Sequence, residues 1–263
     1  MNLAGRSVLL TGATGGIGHA IARAVAARGG RLLVSGRRAD VLEPLATELG
    51  GRALPCDLAD PAELDRLVAE AAAVDVLIAN AALPASGALE TFTVEEIDRA
   101  LAVNLRAPMI LARHLGESMA ARGAGHLVFI SSISGKVASH GSAVYSATKF
   151  GLRGFALGLR EDLRSRGVGV STVFPGFISG AGMFHEADVR LPGYVGTKTP
   201  QQVADAVIGA IENNRAEVDV APLGLRAGAA IAGLAPEVSA RLQRRLGSER
   251  VATALAAAQR GKR

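Results

Sequence analysis

Short apolar runs alternate with stretches of helical periodicity along the first 221 residues of the chain. The apolar runs occupy residues 7–10, 31–35, 53–56, 75–79, 125–131, 168–174 and 217–221. Helical periodicity is found at 19–28, 40–49, 61–73, 94–120 (with a break expected around 104–108), 144–165 and 200–213. Buried strands separated by helices are typical of a parallel sheet that is covered on both faces. The sequence therefore predicts a doubly wound α/β fold with three layers, α/β/α.

Composition argues against several other classes of protein. Of the 263 residues 49% are hydrophobic and 20% are charged, so the chain can bury a core and is not of the disordered type. The single cysteine, Cys56, excludes a disulfide framework, and the five histidines form no pair with ligand spacing. No apolar run approaches the roughly 20 residues of a membrane-spanning helix, and the first residues do not resemble a signal peptide. We therefore expect a cytoplasmic protein without a metal.

The net charge of +5 comes from the end of the chain. Between residues 241 and 263, seven basic side chains stand against one acidic side chain, whereas the rest of the chain is close to neutral. Nucleic-acid binding relies on aromatic side chains for stacking, and aromatic residues make up only 3% of this chain. We therefore expect no nucleic-acid partner.

Glycines dominate the first strand–helix turn. Residues 11–18 read Thr-Gly-Ala-Thr-Gly-Gly-Ile-Gly. Such a turn lets backbone N–H groups and the positive end of a helix dipole approach a pyrophosphate without a Cβ in the way. A glycine-rich turn with no ligand is the alternative interpretation. The residues that we expect to bind a dinucleotide here are Gly12, Thr14, Gly16, Ile17 and Gly18.

The Gly-x-x-x-Gly-x-Gly spacing resembles the signature of the short-chain dehydrogenase/reductase family, which has the Rossmann fold and binds a nicotinamide dinucleotide. The resemblance extends over residues 3–221. It implies that Asp57 contacts the adenine amino group, with Leu58 beside it; a helix N-cap is the alternative role of Asp57. It also implies that Asn80 and Ala81 belong to the cofactor site, in a motif whose other two positions are alanine here.

The end of the second predicted strand bears on the choice of cofactor. Gly36 stands at the usual acidic position of the family, and Arg37 and Arg38 follow it. An acid there would hydrogen-bond the adenosine ribose and repel a 2′-phosphate, whereas a guanidinium can bind a phosphate through two parallel hydrogen bonds. We therefore expect NADP(H) rather than NAD(H). Two solvated surface arginines are the alternative.

Four residues resemble the catalytic set of the family. Tyr145 and Lys149 are four positions apart at the start of a predicted helix, so that they share one face. A phenol titrates at about pH 10, and we expect the lysine to lower that pKa so that the tyrosine can transfer a proton. Ser132 would polarise the substrate carbonyl, and Asn104 would hold a water beside the lysine. The alternatives are a buried helix tyrosine beside a solvated lysine, a neighbouring serine in place of Ser132, and a helix-breaking Asn104.

Residues after the sixth predicted strand resemble the nicotinamide motif. Pro175 and Gly176 would lie against the ring, Ile178 would place a backbone amide near its carboxamide, and Ser179 replaces the usual threonine. Periodicity is lost over about 177–199, which is typical of a mobile cover over a hydrophobic substrate; ordinary loop packing is the alternative. The apolar side chains of this segment are Phe177, Met183, Phe184, Leu191 and Tyr194.

Residues 222–263 are predicted to form an extension of the catalytic domain, which we place at 1–221. The part from 223 to 235 is apolar and glycine-rich, and an amphipathic helix is expected at 237–246, before the basic end. An apolar patch beside basic residues can bind an anionic membrane surface. We favour packing on the domain itself or between the subunits of a homo-oligomer, a dimer or tetramer.

These motifs and the resemblance together imply an NADP(H)-dependent oxidoreductase that reduces the carbonyl group of a hydrophobic small molecule, or catalyses the reverse reaction. Three alternatives stay open. They are a 3-oxoacyl-thioester reductase, a peripheral membrane enzyme on lipid-like substrates, and a non-catalytic nucleotide-binding interaction protein.

Overall fold

The computed structural model describes residues 1–180, 182–185, 195–245, 248–259 and 261. Two of the predicted cover residues, Leu191 and Tyr194, lie outside them. The strands are β1 Ser7–Thr11, β2 Arg31–Gly36, β3 Arg52–Pro55, β4 Val76–Ala79, β5 Gly125–Ile130, β6 Val168–Pro175 and β7 Glu217–Val220.

All neighbouring strands pair in parallel, in the order β3-β2-β1-β4-β5-β6-β7. The order therefore runs outward in one direction from β1 and in the other from β4. In a doubly wound sheet the crevice at this reversal, beyond the carboxyl ends of the strands, is where ligands bind. The predicted fold class is confirmed.

Helices fill the connections between the strands and follow the last one. They are α1 Gly16–Ala27, α2 Ala39–Glu48, α3 Pro61–Glu70, α4 Val94–Leu101, α5 Ala107–Ala121, α6 Ala143–Arg164, α7 Gly182–His185, α8 Pro200–Glu212, α9 Leu223–Leu234, α10 Pro236–Arg245 and α11 Ser248–Gln259. In the part of the chain that is described, no helix is long and apolar enough to cross a membrane. The helices α7, α9 and α11 were not predicted.

Alternating side chains of the sheet divide the core into two layers. In β1, Val8 and Leu10 pack with residues of α1, α2 and α8, whereas Leu9 packs with residues of α3, α5 and α6. Successive side chains of a strand point to opposite faces, so a continuous apolar run is what a sheet with helices on both faces requires. The three-layer prediction is confirmed.

Polar side chains fix the starts of several helices. Asp60 precedes α3 and accepts hydrogen bonds from two of its first N–H groups. Thr93 before α4 and Thr199 before α8 each form a reciprocal capping box. Between α4 and α5 the predicted break is a single π-helical turn, Ala102–Arg106, and Asn104 lies at its centre.

Candidate active site

The first strand–helix turn approaches the rest of the chain too closely for side chains at two of its glycines. Gly12 has a φ of +66°, and a Cβ on it would lie 2.7 Å from the Cα of Ala81. A Cβ on Gly18 would lie 2.3 Å from the carbonyl oxygen of Gly12. On Gly15 the nearest such atom would be 3.8 Å away. The tight turn leads directly into the N-terminus of α1, which is the arrangement that a dinucleotide pyrophosphate requires.

Asn80 fastens this turn to the end of β4. Its Nδ2 donates to the carbonyl oxygens of Thr11 and Gly12 at 3.1 and 3.0 Å. The N–H groups of Asn80 and Ala81 donate to the Thr11 hydroxyl at 3.1 and 3.2 Å. Two of the predicted cofactor residues therefore hold the turn in shape across the point where the strand order reverses.

The end of β2 faces the same turn. A Cβ on Gly36 would lie 3.0 Å from Cγ2 and 3.2 Å from Oγ1 of Thr14, so an acidic side chain at this position would press on Thr14. The guanidinium of Arg38 donates to the Thr14 carbonyl oxygen at 2.6 Å, and Arg37 is exposed beside it. Two cationic side chains thus lie where a ribose 2′-phosphate is expected.

Asp57 has partners within the protein. Its carboxylate accepts hydrogen bonds from the N–H of Ala59 at 3.0 Å and from the guanidinium of Arg99 at 2.7 Å. Partial burial works against ionisation, but these hydrogen bonds hold the pKa of Asp57 below its ordinary value. The alternative role as a helix N-cap is wrong, because Asp60 caps α3. Leu58 is packed in the core, and the adenine contact of both residues stays a prediction.

Ser132, Tyr145 and Lys149 meet beyond the carboxyl end of β5, and we call these three residues the catalytic floor. Ser132 follows the strand and accepts the N–H of Ser134 at 3.1 Å. Tyr145, in the first turn of α6, is hydrogen-bonded to the side chain of Ser132. The Lys149 ammonium lies 5.6 Å from the centroid of the Tyr145 ring. All three side chains line one cavity.

The protonation of the catalytic floor differs from what we expected. Burial raises the pKa of Tyr145 to about 12, although the hydrogen bond with Ser132 works in the opposite direction. Burial also lowers the pKa of Lys149 to about 8, and its ammonium donates to the carbonyl oxygen of Ile130 at 3.0 Å. The expected net lowering of the phenol pKa is therefore wrong here, because the desolvation of the phenol dominates. At neutral pH the phenol keeps its proton.

Asn104 is fully buried in the π-helical turn. Its Oδ1 accepts the N–H of Leu83 at 2.7 Å, and its Nδ2 donates to the carbonyl oxygen of Leu83 at 3.0 Å. Both polar atoms of the side chain thus clamp the segment that follows β4. Of the four residues predicted to be catalytic, Asn104 is the one whose side chain does not line the cavity.

A cavity of about 440 Å³ lies over the catalytic floor. Pro175, Gly176 and Ile178 of the predicted nicotinamide motif line one part of it. The hydroxyl of Ser179 donates to the carbonyl oxygen of Lys198 at 3.3 Å. Three of the predicted cover residues also line the cavity, namely Phe177, Met183 and Phe184, and the two phenyl rings pack edge to face at 4.9 Å.

Helices α9, α10 and α11, which we call the roof, complete the cavity wall. Their lining residues are Gly224, Leu225, Gly228, Ala229, Ser239, Ala252, Leu255 and Gln259. Of the roles that we considered for residues 222–263, packing on the domain is the one that the described residues show. No motif pointed to this cover, since apolar periodicity does not say which surface a helix packs on.

An ion-pair cluster behind the Ser132 turn also had no counterpart in the sequence analysis. The Lys136 ammonium lies 3.0 Å from the Glu217 carboxylate, 2.7 Å from the Asp219 carboxylate and 4.1 Å from the centroid of the Phe174 ring. Arg153 of α6 pairs with Glu217 at 2.6 Å. The cluster ties the serine turn to β7 and α6. Within the described residues, no group of acidic, histidine and cysteine side chains could hold a metal ion.

This fold and this site define a nucleotide-binding oxidoreductase of the doubly wound α/β class. The chain belongs to the short-chain dehydrogenase/reductase family, because the family model described as short chain dehydrogenase matches residues 6–190. The family and the enzyme class that the sequence predicted are confirmed.

Known relatives and solved structures resemble most of the chain. The ketoacyl reductase HetN of Nostoc sp. is 37% identical over 227 residues, 83% of this chain and 79% of that protein. The 3-oxoacyl-[acyl-carrier-protein] reductase FabG of Rickettsia conorii is 35% identical over 68% of this chain and 75% of its own. A short-chain dehydrogenase from Sphingobium yanoikuyae, solved in complex with NADPH, superposes with a TM-score of 0.78 at 28% identity, covering 89% of this chain and 95% of that one.

Proposed function

We propose that this protein is an NADP(H)-dependent reductase that converts the carbonyl group of a hydrophobic small molecule to an alcohol. The observation that carries the proposal is the catalytic floor, where a protonated Tyr145 is hydrogen-bonded to Ser132 at one end of a cavity. The residues of the predicted nicotinamide motif line the same cavity.

Each residue of the catalytic floor has a role in this reaction. A bound NADPH would supply the hydride. The hydroxyl of Ser132 orients the carbonyl oxygen and stabilises the negative charge that develops on it. Tyr145 donates its phenolic proton to that oxygen. The ammonium of Lys149, whose pKa of about 8 keeps it charged at neutral pH, stabilises the phenolate that is left.

The pKa of Tyr145 favours reduction over oxidation at neutral pH. Reduction needs the protonated phenol, and an alkoxide is a stronger base than a phenolate, so the proton transfer is favourable. Oxidation of an alcohol needs the phenolate, which a pKa of about 12 makes scarce. We therefore propose that reduction dominates near neutral pH and that alcohol oxidation increases as the pH is raised.

NADP(H) is the cofactor that the end of β2 supports. Gly36 leaves no acidic side chain to repel a 2′-phosphate, Arg38 supplies positive charge beside Thr14, and Arg37 is an exposed cation next to Arg38 in the chain. The similar dehydrogenase from Sphingobium yanoikuyae is solved with NADPH. The cytoplasmic location and the homo-oligomer stay predictions.

The test is the consumption of NADPH and of NADH by the purified protein with ketones, aldehydes, steroids and 3-oxoacyl thioesters. We expect turnover of apolar ketones with a preference for NADPH. Absence of cofactor consumption with every class, under conditions where NADPH binds, would contradict the proposal and favour a nucleotide-binding interaction protein.

A 3-oxoacyl-thioester reductase is the second candidate. It is favoured by the relatives, since HetN is named a ketoacyl reductase and FabG a 3-oxoacyl-[acyl-carrier-protein] reductase. The apolar cavity suits an acyl chain as well as an apolar ketone. Turnover confined to coenzyme A or carrier-protein thioesters would establish this second candidate in place of the first.

A further inference from the structure

Gln259, the last residue of α11, lines the cavity with a buried amide. The residue is 4% exposed. Its Nε2 donates to the main-chain carbonyl oxygen of Met183 at 3.4 Å. Its Oε1 has no hydrogen-bond partner among the described residues. Because the Met183 carbonyl can only accept, it holds the nitrogen of the amide and leaves the oxygen as the unused atom.

A buried hydrogen-bond acceptor without a partner is unusual. More than nine in ten buried polar groups have a hydrogen-bond partner, because burial without one is costly. Two other side-chain atoms of the described chain share this state, on His19 and Ser35, and neither residue lines the cavity. The wall that Gln259 shares with Met183, Ala252 and Leu255 is apolar at those three residues.

We propose that Oε1 of Gln259 accepts a hydrogen bond from the substrate, and that Gln259 is thereby a specificity-determining residue. The donor is a hydroxyl or amide N–H group that the substrate carries away from its reacting carbonyl. The substrate class is then an apolar molecule with a carbonyl group at the catalytic floor and a hydrogen-bond donor at the roof. This inference rests on the proposed function, because it concerns the substrate of that same site.

Gln259 lies where two parts of the cavity wall meet. The amide connects α11 of the roof to α7, which belongs to the predicted cover. A substrate donor that binds Oε1 supplies the hydrogen bond that this amide oxygen lacks among the described residues. A substrate without a donor leaves the acceptor buried and unpaired, which weakens its binding relative to the matched donor.

The first test uses the unaltered protein and linear methyl ketones of increasing chain length. Each ketone is supplied with a plain methyl end, with a terminal hydroxyl, and with a terminal methoxy group that accepts but does not donate. At the chain length that reaches the roof, we expect kcat/KM with NADPH to be about tenfold higher for the hydroxy ketone than for the methoxy ketone.

The second test compares two variants. Gln259→Leu removes the acceptor at similar size, and we expect it to abolish the preference for the hydroxy ketone over the methoxy ketone, whatever the change in activity on the plain ketone. The matched control is Gln201→Leu on α8, where the exposed amide donates to Asp205 at 2.9 Å, away from the cavity. That control is expected to keep the preference.

The outcomes separate the inference from the proposed function. Equal kcat/KM for hydroxy and methoxy ketones at every chain length overturns the inference, even if Gln259→Leu fails to fold. An equal loss on all three ketones in Gln259→Leu also overturns it, since that would be a general packing effect. If the unaltered protein binds NADPH but consumes none with these ketones or with any of the substrate classes named under the proposed function, the proposed function fails and the inference falls with it.

Discussion

The catalytic floor and the roof enclose one cavity but are built differently. The floor stands on the carboxyl end of β5 and the first turns of α6, and its Lys149 is 2% exposed. The roof covers the cavity from outside the sheet, and two of its leucines, Leu223 and Leu234, are 77% and 90% exposed. The atoms of the floor are therefore fixed by the core, whereas much of the roof faces solvent.

This difference suggests that the floor carries out the chemistry and that the roof selects the substrate. Proton transfer requires hydrogen-bond distances, and a densely packed core maintains them. Substrate choice requires a surface that can vary without disturbing the sheet, and helices added after β7 offer one. Changes in the floor should therefore alter kcat or cofactor binding, and changes in the roof should alter KM and specificity.

The largest loss is expected from the serine of the floor. Ser132→Ala removes the donor to the carbonyl oxygen, so kcat should fall about 100- to 1,000-fold while NADPH binding persists. The control is Ser134→Ala, since the contact of Ser134 with Ser132 uses its main-chain N–H. Steady-state kinetics of both variants decide the matter, and equal losses would show that the wrong hydroxyl has been assigned.

The next effect concerns the glycine turn. In Gly18→Ala the added Cβ would lie 2.3 Å from the Gly12 carbonyl oxygen, so the turn must shift, and NADPH affinity should fall about 100-fold. Gly15→Ala adds the same methyl group with its nearest neighbour 3.8 Å away and should bind almost normally. Fluorescence titration with NADPH measures both, and similar affinities would refute this account of the turn.

A smaller effect is expected on the choice of cofactor. Arg37→Ala removes an exposed cation next to Arg38 at the end of β2, so the ratio of kcat/KM for NADPH to that for NADH should fall about tenfold. Arg31→Ala is the control, because it removes an exposed arginine at the other end of β2. If the ratio of kcat/KM for NADPH to that for NADH is unchanged in Arg37→Ala, the 2′-phosphate does not bind at this arginine.

The smallest effect is expected in the roof. Leu225→Ala removes part of the cavity wall, so KM for an apolar ketone should rise about three- to tenfold with kcat nearly unchanged. Leu223→Ala removes the same atoms from a side chain that is 77% exposed and should behave as the unaltered protein. Steady-state kinetics distinguish the two variants. A fall in kcat with constant KM for Leu225→Ala would contradict the assignment of substrate binding to the roof and of proton transfer to the floor.

The sequence could predict that the residues of the floor lie together, because its determinants are local. Tyr145 and Lys149 are four positions apart, and the glycine turn is a continuous segment. The roof depends on distant contacts: Gln259 meets Met183, 76 positions away. The pKa of Tyr145 was predicted in the wrong direction for a related reason, since the motif shows the nearby cation but not the burial of the phenol.

The most direct test of the account is a comparison of the unaltered protein with Tyr145→Phe, in which the ring stays and the hydroxyl is removed. We expect NADPH to bind both proteins with the same affinity, and reduction of an apolar ketone to fall by about 1,000-fold or more in the variant. A variant that keeps more than about a tenth of the activity would show that another group donates the proton, and the role assigned to the phenol would be wrong.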